Sequence, residues 1–425
     1  GRKLWWQRER RLASEMELRR DLLSKLTKNV DCEKALSFLG AGAWQHHVPA
    51  VVDEIVGRTE FLTNVWGSYQ SDHGRNQAWF EYQSQLGDLI EMDVVQMPVY
   101  SWGCAAGHAI RMAARLTGRR KVLVPALMDP ERLAVIANYC EPPEMASHIE
   151  VVEVAADLTT GGLDVADLKA KLEDAAALYF EVPAFLGTIE PRAAEIAAAA
   201  RAAGAETIVG ADPISLGVLA PPSSYGADMV VGPVQSLGVH MNAGGGVGGF
   251  IASRDEARYV HEYNGFLTSI APTARPGEHG FGLAAAHQNS YGMREEGKDW
   301  TGNSVYLWAI ANAVYMSLLG PKGFEEVGDL ILARSGQAAK RLAAIPGVKM
   351  PWPDGFFREF VVNFDGTGKS VAAINAALRE KNIFGGLDLS ATFPALGQSA
   401  LYSVTEVHQA SDIDRLARAI EEAVQ

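Results

Sequence analysis

The stretch from Ile208 to Ser253, IVGADPISLGVLAPPSSYGADMVVGPVQSLGVHMNAGGGVGGFIAS, constrains the fold more than any other part of the chain. A short apolar run ends in Asp212, a Pro-Pro turn follows, and GADMVV makes a second run that closes on the polar turn PVQSLG. A glycine cluster (Gly244, Gly245, Gly246, Gly248 and Gly249) then leads into a third run, FIA. Apolar runs this short, bounded by turn residues, suit buried strands of an α/β sheet. Upstream, KVLVPALM, IEVVEVA and ALYFEVPAF read as strands, separated by the helical patterns ERLAVIANYCE and VADLKAKLED and followed by the alanine-rich AAEIAAAARAAGA. Such alternation implies parallel crossovers and a sheet covered by helices on both faces. Ligands on these sheets gather at the carboxyl ends of strands, which puts Glu181, Asp212 and the turn after Val231 on one edge.

Around this sheet the chain divides into three parts. Residues 1–60 are expected to form an N-terminal helical arm, with Met16, Leu18, Leu22, Leu23 and Leu26 as an apolar stripe among charges. Residues 61–318 form the large α/β domain, in which 254–303 lose regular periodicity and read as a long functional or interface loop. Residues 319–425 read as a smaller α+β domain, with the strands FREFVVNF and ALYSVTE among three helices.

Composition narrows the class of partner. A net charge of −13 argues against nucleic acid or an anionic membrane. No apolar run reaches the roughly 18–20 residues that span a bilayer. Three separated cysteines, without CxxC or His/Cys metal spacing, read as reduced thiols of a cytoplasmic protein with no metal site.

An acid that ends one strand, and a polar turn that ends the next, resemble the layout of fold-type I pyridoxal-phosphate enzymes. There the acid pairs with the pyridinium nitrogen and a lysine in the later turn forms the imine. Here Gln235 and Ser236 stand where that lysine is needed, and no lysine occurs between Lys171 and Lys298. Only a primary amine holds the cofactor as an internal imine, so this chain is not expected to hold it that way. The small-residue turn that opens the helix SWGCAAGHAIRMAARLTG is a ready anion site, which makes Ser101, Gly103 and Cys104 candidates for a phosphate. Ser and Gly also serve such turns for geometry alone. Asp212 is the candidate for the ring nitrogen, or a vestige of that role. His46 and His47 precede a helix, either as polar surface groups or lining a site at its N-terminus. Arg294 is a candidate for an anionic group, with Glu295 and Glu296 available to pair with it instead.

The segments FLGAGAWQHHVPAVVDEI, FEYQSQLGDLIEMDV, ADPISLGVLAPPSSYGADMVVGPVQSLG, FREFVV and FGGLDLS are similar to the decarboxylating glycine dehydrogenase (P-protein) family of the glycine cleavage system, in its subunit 1 form. The resemblance runs from about residue 13 to the C-terminus. It implies pyridoxal-phosphate-dependent decarboxylation of glycine, with transfer of the aminomethyl group to the lipoyl arm of the H-protein. It further implies an α2β2 assembly in which a homologous β subunit carries the lysine and the pyridoxal phosphate. Three segments depart from the family pattern. GSYQSDHGRN replaces a TPYQPEISQG-like loop but keeps Tyr69 and Gln70. QMPVYSWGCAAG replaces an NASLYDGA-like turn, with Trp102 in place of the acid. MREEGKDWTGN only roughly matches an RREKATSN-like loop through Arg294, Glu295, Thr301 and Asn303. The same assembly acting on another amino acid or amine, or a cofactor-free scaffolding subunit, are the alternatives that these changes leave.

Overall fold

The structure is a computed structural model that describes residues 14–61, 73–242, 245, 247–285, 288, 293–299 and 305–425. Tyr69 and Gln70, Gly244 and Gly246, and Thr301 and Asn303 lie outside the described residues.

The chain starts with helix α1 (Glu15–Leu26), fixed by a capping box in which Ser14 and Glu17 satisfy each other's backbone N–H groups. None of its residues is buried, so the expected stripe faces solvent. Leu36–Ser37 then pairs in parallel with Ile383–Phe384 and ties this arm to the carboxyl-terminal part of the chain. The loop 38–49 leads into α2 (Ala50–Val56), followed by α3 (His73–Ile90). Next come β1 (Val94–Val95) and α4 (Trp102–Thr117), whose small residues Ala105, Ala106, Ala109 and Ala113 are fully buried and let the helix lie close to the sheet.

The alternation predicted from the sequence then follows: β2 (Lys121–Pro125), α5 (Pro130–Cys140), β3 (Glu150–Val154), α6 (Val165–Lys171), β4 (Ala177–Glu181), α7 (Ala193–Ala202), β5 (Glu206–Gly210), β6 (Met229–Pro233) and β7 (Gly249–Ser253). The seven strands lie in the order β1-β7-β6-β5-β4-β2-β3. Pairs from β3 through β6 are parallel, and β7 is antiparallel to both β6 and β1. Every residue of β4, β5, β6 and β7 is buried, which explains why these runs are continuously apolar rather than alternating.

Within the segment expected to be irregular, the structure has a hairpin, β8 (Leu267–Pro272) with β9 (His279–Ala284). Most of β8 is exposed and β9 carries Gly280 and Gly282, so neither strand has the apolar alternation that marks a half-buried strand. Beyond it α8 (Tyr306–Ala343) breaks at Gly320, just before Pro321. A second, three-stranded sheet follows, formed by β10 (Glu359–Asn363), β11 (Leu387–Asp388) and β12 (Ser399–Ser403), all antiparallel. Helices α9 (Val371–Glu380) and α10 (Ala410–Val424) pack with the end of α8 around the core of Phe360, Val362, Leu378, Ile413 and Leu416. No described helix is long and apolar enough to cross a membrane.

Candidate functional site

The carboxyl ends of β4, β5 and β6 bring three predicted positions to one edge. Glu181 is the last residue of β4, Asp212 follows β5, and Gln235 and Ser236 follow β6; all four are buried. Asp212 caps the short turn Pro213–Gly217, accepting from the Ile214 N–H at 3.3 Å. The Ser236 hydroxyl donates to Asp212 Oδ1 at 3.4 Å, so the turn expected to carry a lysine does lie against the acid. Gln235 is held by its own turn, donating to the Val239 carbonyl at 2.8 Å.

The other oxygen of Asp212 is taken by a residue from the second sheet. Arg358, just before β10, places its guanidinium 2.9 Å from Asp212 Oδ2, with both side chains out of water. Its Cζ lies 3.4 Å from the centre of the Trp44 ring, a desolvated cation–π contact. A second nitrogen of Arg358 is 2.9 Å from His46 Nε2, and His46 Nδ1 is 2.8 Å from Glu406 Oε2. The backbone N–H of His47 donates to the other Glu406 oxygen at 2.8 Å, while the His47 side chain is exposed. Burial works against the charge of Glu406, but the His46 ring and the His47 N–H outweigh it and bring the carboxyl down to about 2. Glu359, next to Arg358, behaves in the opposite way. Burial pushes it up to about 7, against the pull of Arg358 and of the Ala41 N–H that it accepts at 2.6 Å.

A second guanidinium sits on a second tryptophan beside the first. Arg132 from α5 lies 3.7 Å from the centre of the Trp102 ring and 2.7 Å from Glu181 Oε1, which also accepts from the Tyr179 hydroxyl at 2.7 Å. Burial raises the Glu181 carboxyl and Arg132 opposes it. The Trp102 ring fits only because residue 210 is glycine: a Cβ there would lie 2.9 Å from Trp102 Cζ2.

Ser101 caps α4 by accepting from the Cys104 N–H at 3.2 Å. Ser101 and Gly103 line a cavity of about 150 Å³ together with Trp102, Arg132 and Gln235. That is below the roughly 300–1,000 Å³ of a small-molecule site. Gly103 has a packing reason as well, since a Cβ there would meet the Val135 Cβ at 2.9 Å. Cys104 is buried beneath the Tyr139 hydroxyl and lines neither this cavity nor the one around Asp212. Arg294 stands exposed on the turn Arg294–Glu296, and it lines neither cavity. His46 is therefore joined to Asp212 through Arg358, whereas Arg294 is not part of this cluster.

The profile of the family described as glycine cleavage system P-protein matches residues 6–420. The chain belongs to the glycine cleavage system P-protein family. Among its relatives, the probable glycine dehydrogenase (decarboxylating) subunit 1 of Saccharolobus solfataricus is 38% identical over 97% of this chain and 88% of its own length. The protein of the same description from Staphylothermus marinus is 36% identical over 97% and 87%. A crystal structure of glycine decarboxylase (P-protein) of the glycine cleavage system, in inhibitor-bound form, superposes with a TM-score of 0.87 at 31% identity, covering 97% of this chain and 90% of that one. A sphingosine-1-phosphate lyase from Burkholderia pseudomallei, at 15% identity and a TM-score of 0.68 over 97% of this chain and 91% of its own, shares the fold alone. The P-protein architecture here is that of fold-type I pyridoxal-phosphate enzymes, as expected from the sequence.

The residues at this edge do not fit a pyridoxal ring held through Asp212. Both oxygens of that carboxylate are engaged, one by a buried guanidinium, and no lysine lines the cavities beside it. The sequence reading missed Arg358, Trp44, Arg132 and Glu406. Trp44 was the available signal, because a tryptophan in a glycine-rich loop ahead of two histidines has to be placed against something. The arginines carried none: their partners are distant in sequence.

Proposed function

We propose that this chain is the lysine-less α subunit of a P-protein-type glycine decarboxylase. A homologous β subunit carries the pyridoxal phosphate and its lysine, in a cytoplasmic α2β2 complex. The reaction is decarboxylation of glycine, with the aminomethyl group passed to the lipoyl arm of an H-protein. The observation that carries this reading is the pairing of near-full-length similarity to subunit 1 proteins with a buried Ser236 beside Asp212, where an imine would require lysine. The cofactor, on the partner, supplies the electron sink that lets an amino acid lose carbon dioxide. This chain's share is a rigid subunit surface, and the exposed apolar residues of α1 (Met16, Leu18, Leu22, Leu23 and Leu26) support a partner seated on it. We further place the division between the large and small domains near residue 319, close to the break in α8.

The test is visible absorption with pyridoxal phosphate, followed by carbon dioxide release from glycine, for this chain alone and with its β partner. Imine absorption and carbon dioxide release only with the partner support the proposal. A borohydride-trapped imine on this chain alone overturns it. A second reading, another amino acid or amine in the same assembly, is favoured by the Trp102 ring standing where the family pattern has an acid; release from a different amino acid in preference to glycine would select it.

A further inference from the structure

The cavity at the carboxyl edge of the large sheet raises a question separate from which subunit holds the cofactor. A cavity that had merely lost its lysine would keep a free acid facing an open space. Here the acid faces a cation supplied by the chain itself. The Arg358 guanidinium offers Asp212 what a protonated pyridine ring offers such an acid, a planar cation, with one of its nitrogens 2.9 Å from the carboxylate. The Arg358 Cζ lies 3.4 Å from the centre of the Trp44 ring, so an aromatic face covers the cation. Trp102, over Gly210, fills the space beside it.

Two further observations show that this arrangement is built rather than incidental. Arg358 has φ +60, in the left-handed region that costs a residue with a side chain energy and persists only where the surroundings impose it. Another of its nitrogens lies 2.9 Å from His46 Nε2, and Glu406 holds His46 in turn. Three parts of the chain far apart in sequence, the 44–46 loop, Asp212 and the 358–406 sheet, therefore meet on one guanidinium.

We propose that Arg358 is a built-in occupant of the ring position in this chain: with Trp44 and Trp102 it turns the cofactor-type cavity into an ionic lock between the two sheets. The cavity is thus not a latent pyridoxal site, and returning a lysine to it does not restore one.

The experiment uses the full chain. With Ser236→Lys alone, no borohydride-reducible imine with pyridoxal phosphate is expected. With Ser236→Lys, Arg358→Ala and Trp102→Ala together, uptake is expected. Imine formation by the single variant overturns the lock, and so does failure of the folded triple variant to take up the cofactor, since something other than these two side chains then closes the site. Should the triple variant not fold, a thermal double-mutant cycle decides. Arg358→Met and Asp212→Asn each lower the melting midpoint, and the double variant is expected to lose clearly less than the sum of the two losses. Strict additivity overturns the proposal. Because the native chain has no lysine at 236 in any of these outcomes, the assignment of the cofactor to a β subunit stands or falls separately.

Discussion

At the carboxyl edge of the large sheet, Asp212, Arg358, His46 and Glu406 lie out of water, each against a partner from the same chain. On α1, five apolar residues stand exposed among the described residues, from Leu23 at 47% exposure to Met16 at 66%. Charge is hidden in the first region and grease is shown in the second, the reverse of what solvation alone favours. The first region closes a fold on itself, because buried ions are tolerable only when paired. The second is a surface whose free energy falls when something covers it. The chain is self-sufficient where its relatives' fold would admit a small molecule and incomplete where it meets solvent.

That contrast breaks most visibly at the ion pair. Asp212→Ala leaves a buried guanidinium unpaired and is expected to cost about 3–5 kcal/mol of stability, read by denaturant unfolding of the isolated chain. A loss below about 1 kcal/mol would mean the edge is wet and the contrast false. Glu359 provides the next effect, through pH. Its carboxyl is about 7 in the fold against an ordinary 4.5, so folding takes up a proton between those values. The associated stability is fully present below about pH 4.5 and is lost as pH rises through 7, a change of about 3 kcal/mol. Glu359→Gln should flatten the stability–pH curve over that window. Glu406 has the opposite sign: its carboxyl is lowered to about 2, so its contribution is present above pH 4.5 and fades below.

A packing test is smaller. Gly103→Ala drives a methyl into Val135 and is expected to cost about 1–3 kcal/mol, whether or not any anion binds the cavity that Ser101 and Gly103 line. The smallest effect on the isolated chain sharpens the other side of the comparison. Leu23→Ser on α1 should change stability by no more than about 0.5 kcal/mol, yet weaken association with the β subunit in sedimentation or calorimetry. Unchanged association would remove α1 from the subunit contact.

The same contrast explains what the sequence disclosed. The strands from β4 to β7 were legible because burial on both faces leaves short apolar runs bounded by turns, and β2 and β3 because they alternate with helical patterns. The positions of Glu181, Asp212, Gln235 and Ser236 followed, since a parallel sheet sends the carboxyl ends of its strands to one edge. The hairpin β8–β9 was not legible: its exposed strands bury too little to leave a period of two. Nor was Arg358, because nothing in FREFVV says that its arginine crosses to a strand end far upstream. The missing lysine could be read from sequence; what had taken its cofactor's place could not.

His46 and Glu406, two links of the lock, are separated by 360 residues in the chain. A protein made from its N-terminus thus exposes the large sheet before the residues that seal it exist. Asp212 is made well before Arg358 and Glu406, so the edge shuts only after the three-stranded sheet has formed and docked. Closure of this edge is therefore a late, long-range event in folding that needs both sheets in place.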